Sequence, residues 1–306
     1  MENSTSGNLK EKVREFWNRQ SCDTQTAISA KFSKEYFEEI ESFRYFDQPY
    51  IHSFAQFTRY RGKKVLEVGV GAGTDFIQWL RAGAIASGID LTQEALDNLT
   101  HRIHVYDLPK PARIQVSDAE NLPFDSGTFD LGYSFGVLHH TPDTKRAIQE
   151  LVRVVRPGGE VKIMLYNRHS IWAFNQWMKH ALLKGRPWKS LGWALWNFNE
   201  SVGTKAYTRK ELVKLLLDLG LRKISIRTEL TSADYLGSSA FAPLNLLYRI
   251  AIRLAGERYE WRPEDYVDRI DSIPRKTSIK RPAPQTNPRF TGNKLGFYHC
   301  ISAEKI

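Results

Sequence analysis

Between residues 63 and 166, short apolar runs alternate with segments whose apolar residues recur at helical spacing, and this alternation leaves the chain few folds to choose from. Strands are expected over 64–68, 85–89, 113–116, 129–134 and 161–165, with helices over 74–82, 93–104 and 143–155. Strands separated by helices pair in parallel, because a parallel neighbour needs a crossover connection. The third helix is expected to end at Arg156-Pro157-Gly158-Gly159, where proline stops it and the glycines turn the chain into the next strand. Further on, Thr208 and Glu211 have the spacing of a capping box, Leu212, Leu215, Leu216 and Leu219 follow on one face, and Gly220 closes the helix. Strands over 223–228 and 296–303 bring the total to seven.

The first strand runs into Glu67-Val68-Gly69-Val70-Gly71-Ala72-Gly73-Thr74-Asp75. A glycine-rich turn between a buried strand and a helix brings backbone amides and a helix N-terminus against a polar, often anionic, group. In an open parallel sheet, ligands sit beyond the carboxyl ends of the strands. The second strand ends at Asp90, the third at Asp118-Ala119-Glu120, and the fourth at Gly136-Val137-Leu138-His139-His140, so successive strand ends carry groups fit to line one crevice. Taken singly, each has a structural use as well: a tight turn, a helix cap at Asp90, a turn residue at Asp118.

The spacing Gly69-x-Gly71-x-Gly73, with Glu67 two residues before it, departs from the G-x-G-x-x-G of dinucleotide sites. It resembles the first motif of the class I S-adenosylmethionine-dependent methyltransferases. Ile89-Asp90-Leu91, Asp118-Ala119-Glu120-Asn121-Leu122-Pro123-Phe124 with Phe129-Asp130, and Arg156-Pro157-Gly158-Gly159 follow in that family's order, in wording similar to the ubiquinone and menaquinone methyltransferase branch. The resemblance covers roughly residues 60–166. It implies a Rossmann-like α/β fold, with a seven-stranded mostly parallel sheet, helices on both faces, an N-terminal helical lid and an inserted helical substrate region. It divides the chain into a lid over 1–60, a cofactor-binding core over 61–166, and a C-terminal part of the core with substrate-binding insertions over 167–306.

The same resemblance implies that S-adenosylmethionine is the cofactor. The loop Gly69, Gly71 and Gly73 would meet its carboxylate, Glu67 and Asp75 its ammonium, Asp90 its ribose hydroxyls, and Asp118 and the Ala119 amide its adenine, with Leu91 on the ring face. Ser134 is counted with this set. His139 and His140 stand where the family places residues facing the methyl group, and either is a candidate base for an acceptor that must lose a proton; a carboxylate acceptor needs none. No metal site is expected: His101 and His104 are one helical turn apart, but no cysteine or acidic cluster joins them.

Substrate choice then falls to the additions around the core. The aromatic N-terminal helices offer Trp17, Tyr36, Arg44 and Tyr45, and residues 167–206 carry Trp172, Trp177, Trp188, Trp193 and Trp196. These suit a flat or apolar acceptor offering O, N or C, a carboxylate included, although the rings also suit a satellite core. Charge is uneven: residues 1–150 hold 17 Lys+Arg against 21 Asp+Glu, residues 151–306 hold 27 against 13. Lys179, Lys184, Arg186 and Lys189 interleave with the tryptophans, a mixture that fits an anionic membrane surface as well as RNA bases. No recognised RNA-binding module accompanies them, so the expected partner is a small molecule, with peripheral membrane contact a second reading and no obligate protein partner. Outside this family, a nicotinamide-dependent oxidoreductase and a non-catalytic cofactor-binding scaffold remain as alternatives. Residues 272–293 are proline-rich and basic, the look of an extended loop. Two distant cysteines, Cys22 and Cys300, the polar N-terminus and the lack of a long apolar run lead to the expectation of a cytoplasmic protein without a spanning helix.

Overall fold

A computed structural model describes residues 2–19, 21–231, 234, 250–257 and 292–306. Helices α1 (Glu2–Arg19), α2 (Lys34–Asp47) and α3 (Ile51–Ala55) precede the first strand. Strands β1 (Lys64–Val68), β2 (Ile85–Asp90), β3 (Arg113–Val116), β4 (Phe129–Phe135) and β5 (Val155–Tyr166) alternate with α4 (Phe76–Arg81), α5 (Gln93–Val105) and α6 (Thr144–Val154). Helices α7 (Ile171–His180) and α8 (Leu191–Phe198) form the insertion after β5, followed by α9 (Arg209–Asp218) and β6 (Leu221–Glu229). The short strands β7 (Gly256–Glu257) and β8 (Gly292–Asn293) pair with each other, and β9 (Tyr298–Lys305) returns to the main sheet.

The main sheet has seven strands in the order β3-β2-β1-β4-β5-β9-β6. The first five are parallel, and β9 runs antiparallel between β5 and β6. Alternate residues of the strands feed two cores, as period-two geometry requires. Val65, Leu131, Tyr133 and Met164 join the face covered by α4 and α5, where Trp79 and Leu99 are fully buried; Leu66, Val68, Ile163 and Leu165 join the face covered by α6 and α9, with Ile148, Leu151, Leu212 and Leu216.

Strand order reverses at β1, whose neighbours β2 and β4 lead to opposite halves of the sheet. The loops after β1 and β4 therefore face each other across a crevice at a topological switch point. The capping box at Thr208 and Glu211 is present as the sequence predicts.

One boundary differs. Arg156-Pro157-Gly158-Gly159 does not separate α6 from a strand starting at 161, because β5 begins at Val155. Val155 pairs with Phe129 and the register slips before Leu131 pairs with Glu160, so the four residues form an irregularity within the strand, with Gly158 at φ +71. The predicted loop over 272–293 lies outside the described residues except for Gly292 and Asn293. Among the described residues no helix is long and apolar enough to cross a membrane.

Candidate active site

A cavity of about 440 Å³ opens at the switch point, within the range of small-molecule sites. The three glycines of the β1 loop all have positive φ, yet each is required for a different reason. A Cβ on Gly69 would stand 2.2 Å from Cγ2 of Val137, so this glycine lets the loops after β1 and β4 touch. A Cβ on Gly73 would meet Leu99 of α5 at 2.9 Å. On Gly71 it would meet nothing nearer than Cys22 at 3.8 Å, and Gly71 lines the cavity. The open backbone is at Gly71, where a ligand can approach closely.

Asp90, at the end of β2, accepts from the Gly71 amide through Oδ2 (3.1 Å) and from the Thr92 amide and hydroxyl through Oδ1 (3.0 and 2.9 Å). Burial pushes its carboxyl above the usual aspartate range despite these hydrogen bonds. Leu91 and Ala119 line the cavity beside it. Asp118 also lines it, but Lys10 of α1 donates to Asp118 Oδ2 (2.5 Å) and Glu120 Oε2 (2.7 Å), which lays the N-terminal helix across this end of the crevice.

At the other side of the loop, Glu67 accepts from Trp79 Nε1 (2.7 Å), and burial, with Asp75 nearby, raises its pKa well above the usual value. Burial would do the same to Asp75, yet the Arg44 guanidinium, bonded to both its oxygens (3.0 and 2.8 Å), and the hydroxyls of Tyr133 and Tyr45 hold it below the aspartate range. Arg44 also reaches Asp23 (3.2 Å) and lies over the Phe135 ring. This arginine clasps α2 to the glycine loop, and its charge is matched by two carboxylates.

The far end of the cavity is walled by Trp17, Phe135, Tyr166, Trp172, Phe297 and Tyr298. Here His140 faces Glu200: Nε2 lies 3.3 Å from Glu200 Oε2, which accepts from the Tyr166 hydroxyl (2.8 Å). On its other side, His140 Nδ1 is 3.0 Å from the hydroxyls of both Thr204 and Ser201. Thr204 points its own proton at the carbonyls of Ser201 (2.7 Å) and Asn199 (2.9 Å), so it can only accept from the imidazole. The Ser201 hydroxyl can donate to Nδ1 or accept from it, so these contacts admit both tautomers; the Nδ1–H form is the one that leaves a lone pair on Nε2, 3.3 Å from Glu200.

Of the residues singled out in the sequence, the cavity brings together Glu67, Gly69, Gly71, Asp75, Asp90, Leu91, Asp118, Ala119, His140, Trp17, Arg44 and Trp172. Others take positions away from it. His139 is fully buried against Tyr166 (ring centroids 3.8 Å apart), and burial lowers its pKa well below the usual histidine value; it cannot meet an acceptor as a base. Gly73 serves contact with α5, and Ser134 donates to the Val68 carbonyl inside the sheet. Tyr36 is bonded to Asn98, Tyr45 to Thr74 and Asp75, and Trp177 to the Lys189 carbonyl, so these three secure helices instead of lining the cavity. His101 stacks on Phe32, and among the described residues no His, Cys, Asp or Glu group is arranged to hold a metal.

Sequence reasoning missed Lys10, Asp23, Tyr166, Tyr298 and Glu200. For Glu200 a signal existed: it is the sole acidic residue between Glu160 and Glu211, in the midst of an aromatic and basic segment.

Residues 66–163 match a family model described as a methyltransferase domain. The chain is similar to the ubiquinone biosynthesis O-methyltransferase of Thiobacillus denitrificans, 36% identical over 110 residues that make up 36% of this chain and 47% of the relative. It is also similar to the phosphatidylethanolamine N-methyltransferase of Cereibacter sphaeroides, 34% identical over 104 residues, or 34% of this chain and 51% of that one. The chain thus spans about half the length of these curated relatives. Among solved structures it resembles magnesium protoporphyrin IX methyltransferase from Synechocystis PCC 6803 with bound SAH, at a TM-score of 0.55 and 13% identity, covering 97% of this chain and 100% of that one. At that identity the likeness is one of fold.

Proposed function

We propose that this chain, whose residues 66–163 match a methyltransferase domain, is a class I S-adenosylmethionine-dependent methyltransferase that moves a methyl group from that cofactor to a small hydrophobic or aromatic acceptor. The observation that carries this reading is the convergence of Gly71, Asp90 and Asp118 from three strand ends on one cavity whose other end is lined by aromatic rings. The residues fit the cofactor: open backbone at Gly71 for its carboxylate, Glu67 for its ammonium, Asp90 for a ribose, and Asp118 with Ala119 for adenine. Asp118 is shared with Lys10, so α1 acts as a lid that closes over the adenine end.

When bound, the cofactor supplies an electrophilic methyl on a sulfonium. The chain's own work is to hold the acceptor in line with it, exclude water and remove the acceptor's proton where there is one. His140 is the base for that step. With its Nδ1–H on the Thr204 hydroxyl, its Nε2 carries the lone pair that the step needs, and the ring is nearly inaccessible to bulk solvent. His139 supports the ring from behind.

A second feature supports an acceptor taken from a lipid surface. The α7–α8 hairpin exposes Leu182, Leu183 and Trp188 (74% exposed) beside Lys184 and Arg186, while the same segment lends Trp172 and Phe198 to the cavity. Exposed apolar rings among cations suit the headgroup region of an anionic membrane. Co-sedimentation with phosphatidylglycerol vesicles, but not with phosphatidylcholine vesicles, is expected, and Trp188→Ser should abolish it; equal binding to neither counts against this use of the hairpin.

The test of the methyltransferase reading is a screen with methyl-labelled S-adenosylmethionine against quinols, phenols, aromatic and fatty acids, amines and RNA. Label in a small apolar acceptor supports the proposal. Label in RNA alone, or transfer to nothing by a protein that binds the cofactor, turns it towards one of the alternatives.

A further inference from the structure

Glu200 stands outside the cofactor motifs, on the segment between α8 and α9, yet its carboxylate reaches the aromatic end of the cavity. Its backbone lies in the left-handed region (φ +54), unusual for glutamate, and the next residues, Ser201 and Thr204, are those that hold His140 Nδ1. One short turn thus supplies both the hydroxyls that hold the imidazole and the carboxylate opposite it. Burial opposes ionisation of Glu200, but His140 and the Tyr166 hydroxyl outweigh it and hold its carboxyl below the usual glutamate range. Tyr166, its own pKa raised far by burial, remains a donor.

Nε2 of His140 makes no hydrogen bond within the protein although it lies 3.3 Å from Glu200 Oε2, so a proton on that nitrogen or a donor from a bound molecule can settle between them. Charge at this end is weighted the same way: the guanidinium of Arg44 is shared by two carboxylates, Asp75 and Asp23. The side chain of Glu200 keeps 39% of its surface accessible, against 4% for His140, so the carboxylate is the member of the pair an incoming molecule meets first.

We infer that Glu200 is the specificity-determining residue of the acceptor site, paired with His140 to receive an acceptor that presents an O–H or N–H, and to turn away acceptors that present a carboxylate. This deepens the methyltransferase reading and rests on it. In the reaction, the acceptor atom gains the methyl as the bond from methyl to sulfur breaks, and the acceptor's proton passes to His140 Nε2, where Glu200 stabilises the imidazolium. Removing the proton balances the charge: a cationic sulfonium and a neutral acceptor become a neutral thioether, a neutral methylated product and an imidazolium.

The test uses a matched pair of probes, 2-naphthol and 2-naphthoate, titrated calorimetrically into the full chain loaded with S-adenosylhomocysteine. Wild type should bind the naphthol at least about tenfold more tightly. Glu200→Gln should bring the two within about threefold while leaving S-adenosylhomocysteine affinity unchanged, and Glu200→Asp should restore part of the preference. Independently, the imidazole nitrogen resonances of His140, assigned with a His140→Asn variant, should report the Nδ1–H tautomer in wild type and an Nε2 resonance that moves in Glu200→Gln. The other groups around this pair are Tyr166 of β5, Tyr298 of β9, Cys22 before α2, His139 and Lys205, the last with its pKa lowered by burial to about 8. None is altered in the comparison.

Equal binding of the two probes by wild type, or an Nε2 resonance unmoved in Glu200→Gln, overturns the inference. Failure of wild type to bind S-adenosylhomocysteine would instead strike the methyltransferase reading, and the imidazole resonances would still report on the pair.

Discussion

Gly69 and Gly71 sit two residues apart in one loop, but alanine should harm them in different ways. A non-glycine residue in the left-handed region costs about 1–2 kcal/mol. At Gly71 (φ +51) this is nearly the whole cost, because the new methyl meets no protein atom nearer than 3.8 Å. At Gly69 (φ +83) the methyl collides with Val137 at 2.2, 2.7 and 2.9 Å, which adds about 1–3 kcal/mol of overpacking. Gly71→Ala should therefore lower the melting temperature by roughly 2–4 °C and Gly69→Ala by roughly 4–10 °C, taking about 2 °C per kcal/mol for a chain of this size. Affinity for S-adenosylhomocysteine should show the reverse emphasis. In Gly71→Ala the methyl occupies the space a ligand's backbone contact needs, and the dissociation constant should rise about tenfold or more, roughly 1.4 kcal/mol. Val137→Ala should recover part of the stability lost in Gly69→Ala and none of the affinity lost in Gly71→Ala. Thermal melts and calorimetry on the four variants decide it: Gly71→Ala binding like wild type, or Gly69→Ala melting within a degree of it, refutes the division of roles.

Further outcomes follow from the same geometry. Asp90→Ala should raise the cofactor dissociation constant by about tenfold or more through loss of charge-assisted hydrogen bonds, and calorimetry showing no change contradicts the ribose assignment. Arg102 is wholly buried and bonds Glu41, Thr74 and the carbonyls of Phe37 and Ala72, so Arg102→Met should cost about 2–3 kcal/mol in urea unfolding by leaving those carbonyls and Glu41 Oε2 without their donor, while Arg81 still pairs with Glu41 Oε1; a loss under 1 kcal/mol would mean the network is dispensable. Burial pushes the pKa of His299 down to about 3, while its Nδ1 pairs with the Thr228 hydroxyl. The unfolded chain binds the extra proton below about pH 6.5, so the neutral histidine's contribution is present above that pH and is lost as pH falls toward 3. The stability gap between wild type and His299→Asn should shift against wild type by about 1.4 kcal/mol per pH unit between pH 6 and 4, and a gap independent of pH sinks the assignment.

The sheet was legible because buried parallel strands are short apolar runs that glycine, proline and capping residues punctuate, and these signals are local. The start of β5 was not, because Pro157 and Gly158 signal a turn, and only the pairing of Val155 with Phe129 makes that turn part of a strand. In the site, residues immediately after strand ends were readable from spacing, since topology alone brings Gly71, Asp90 and Asp118 together. Facing was harder. His139 and His140 are adjacent in the chain, yet a single turn buries one against Tyr166 and opens the other to the cavity. Tyr36 and Tyr45 share a helix with Arg44, but their hydroxyls are spent on Asn98, Thr74 and Asp75. Glu200 and Lys10 lay beyond spacing rules because they arrive from distant segments, and their partners are fixed only by how α1 and the insertion fold over the core.

The most direct measurement is a crystal structure of the full chain with S-adenosylhomocysteine. The account predicts its carboxylate against the Gly71 backbone, its ribose on Asp90, its adenine between Leu91 and Asp118, and its sulfur directed toward the end of the cavity that holds His140 and Glu200. A ligand seated elsewhere, or one whose sulfur points away from that pair, would contradict it.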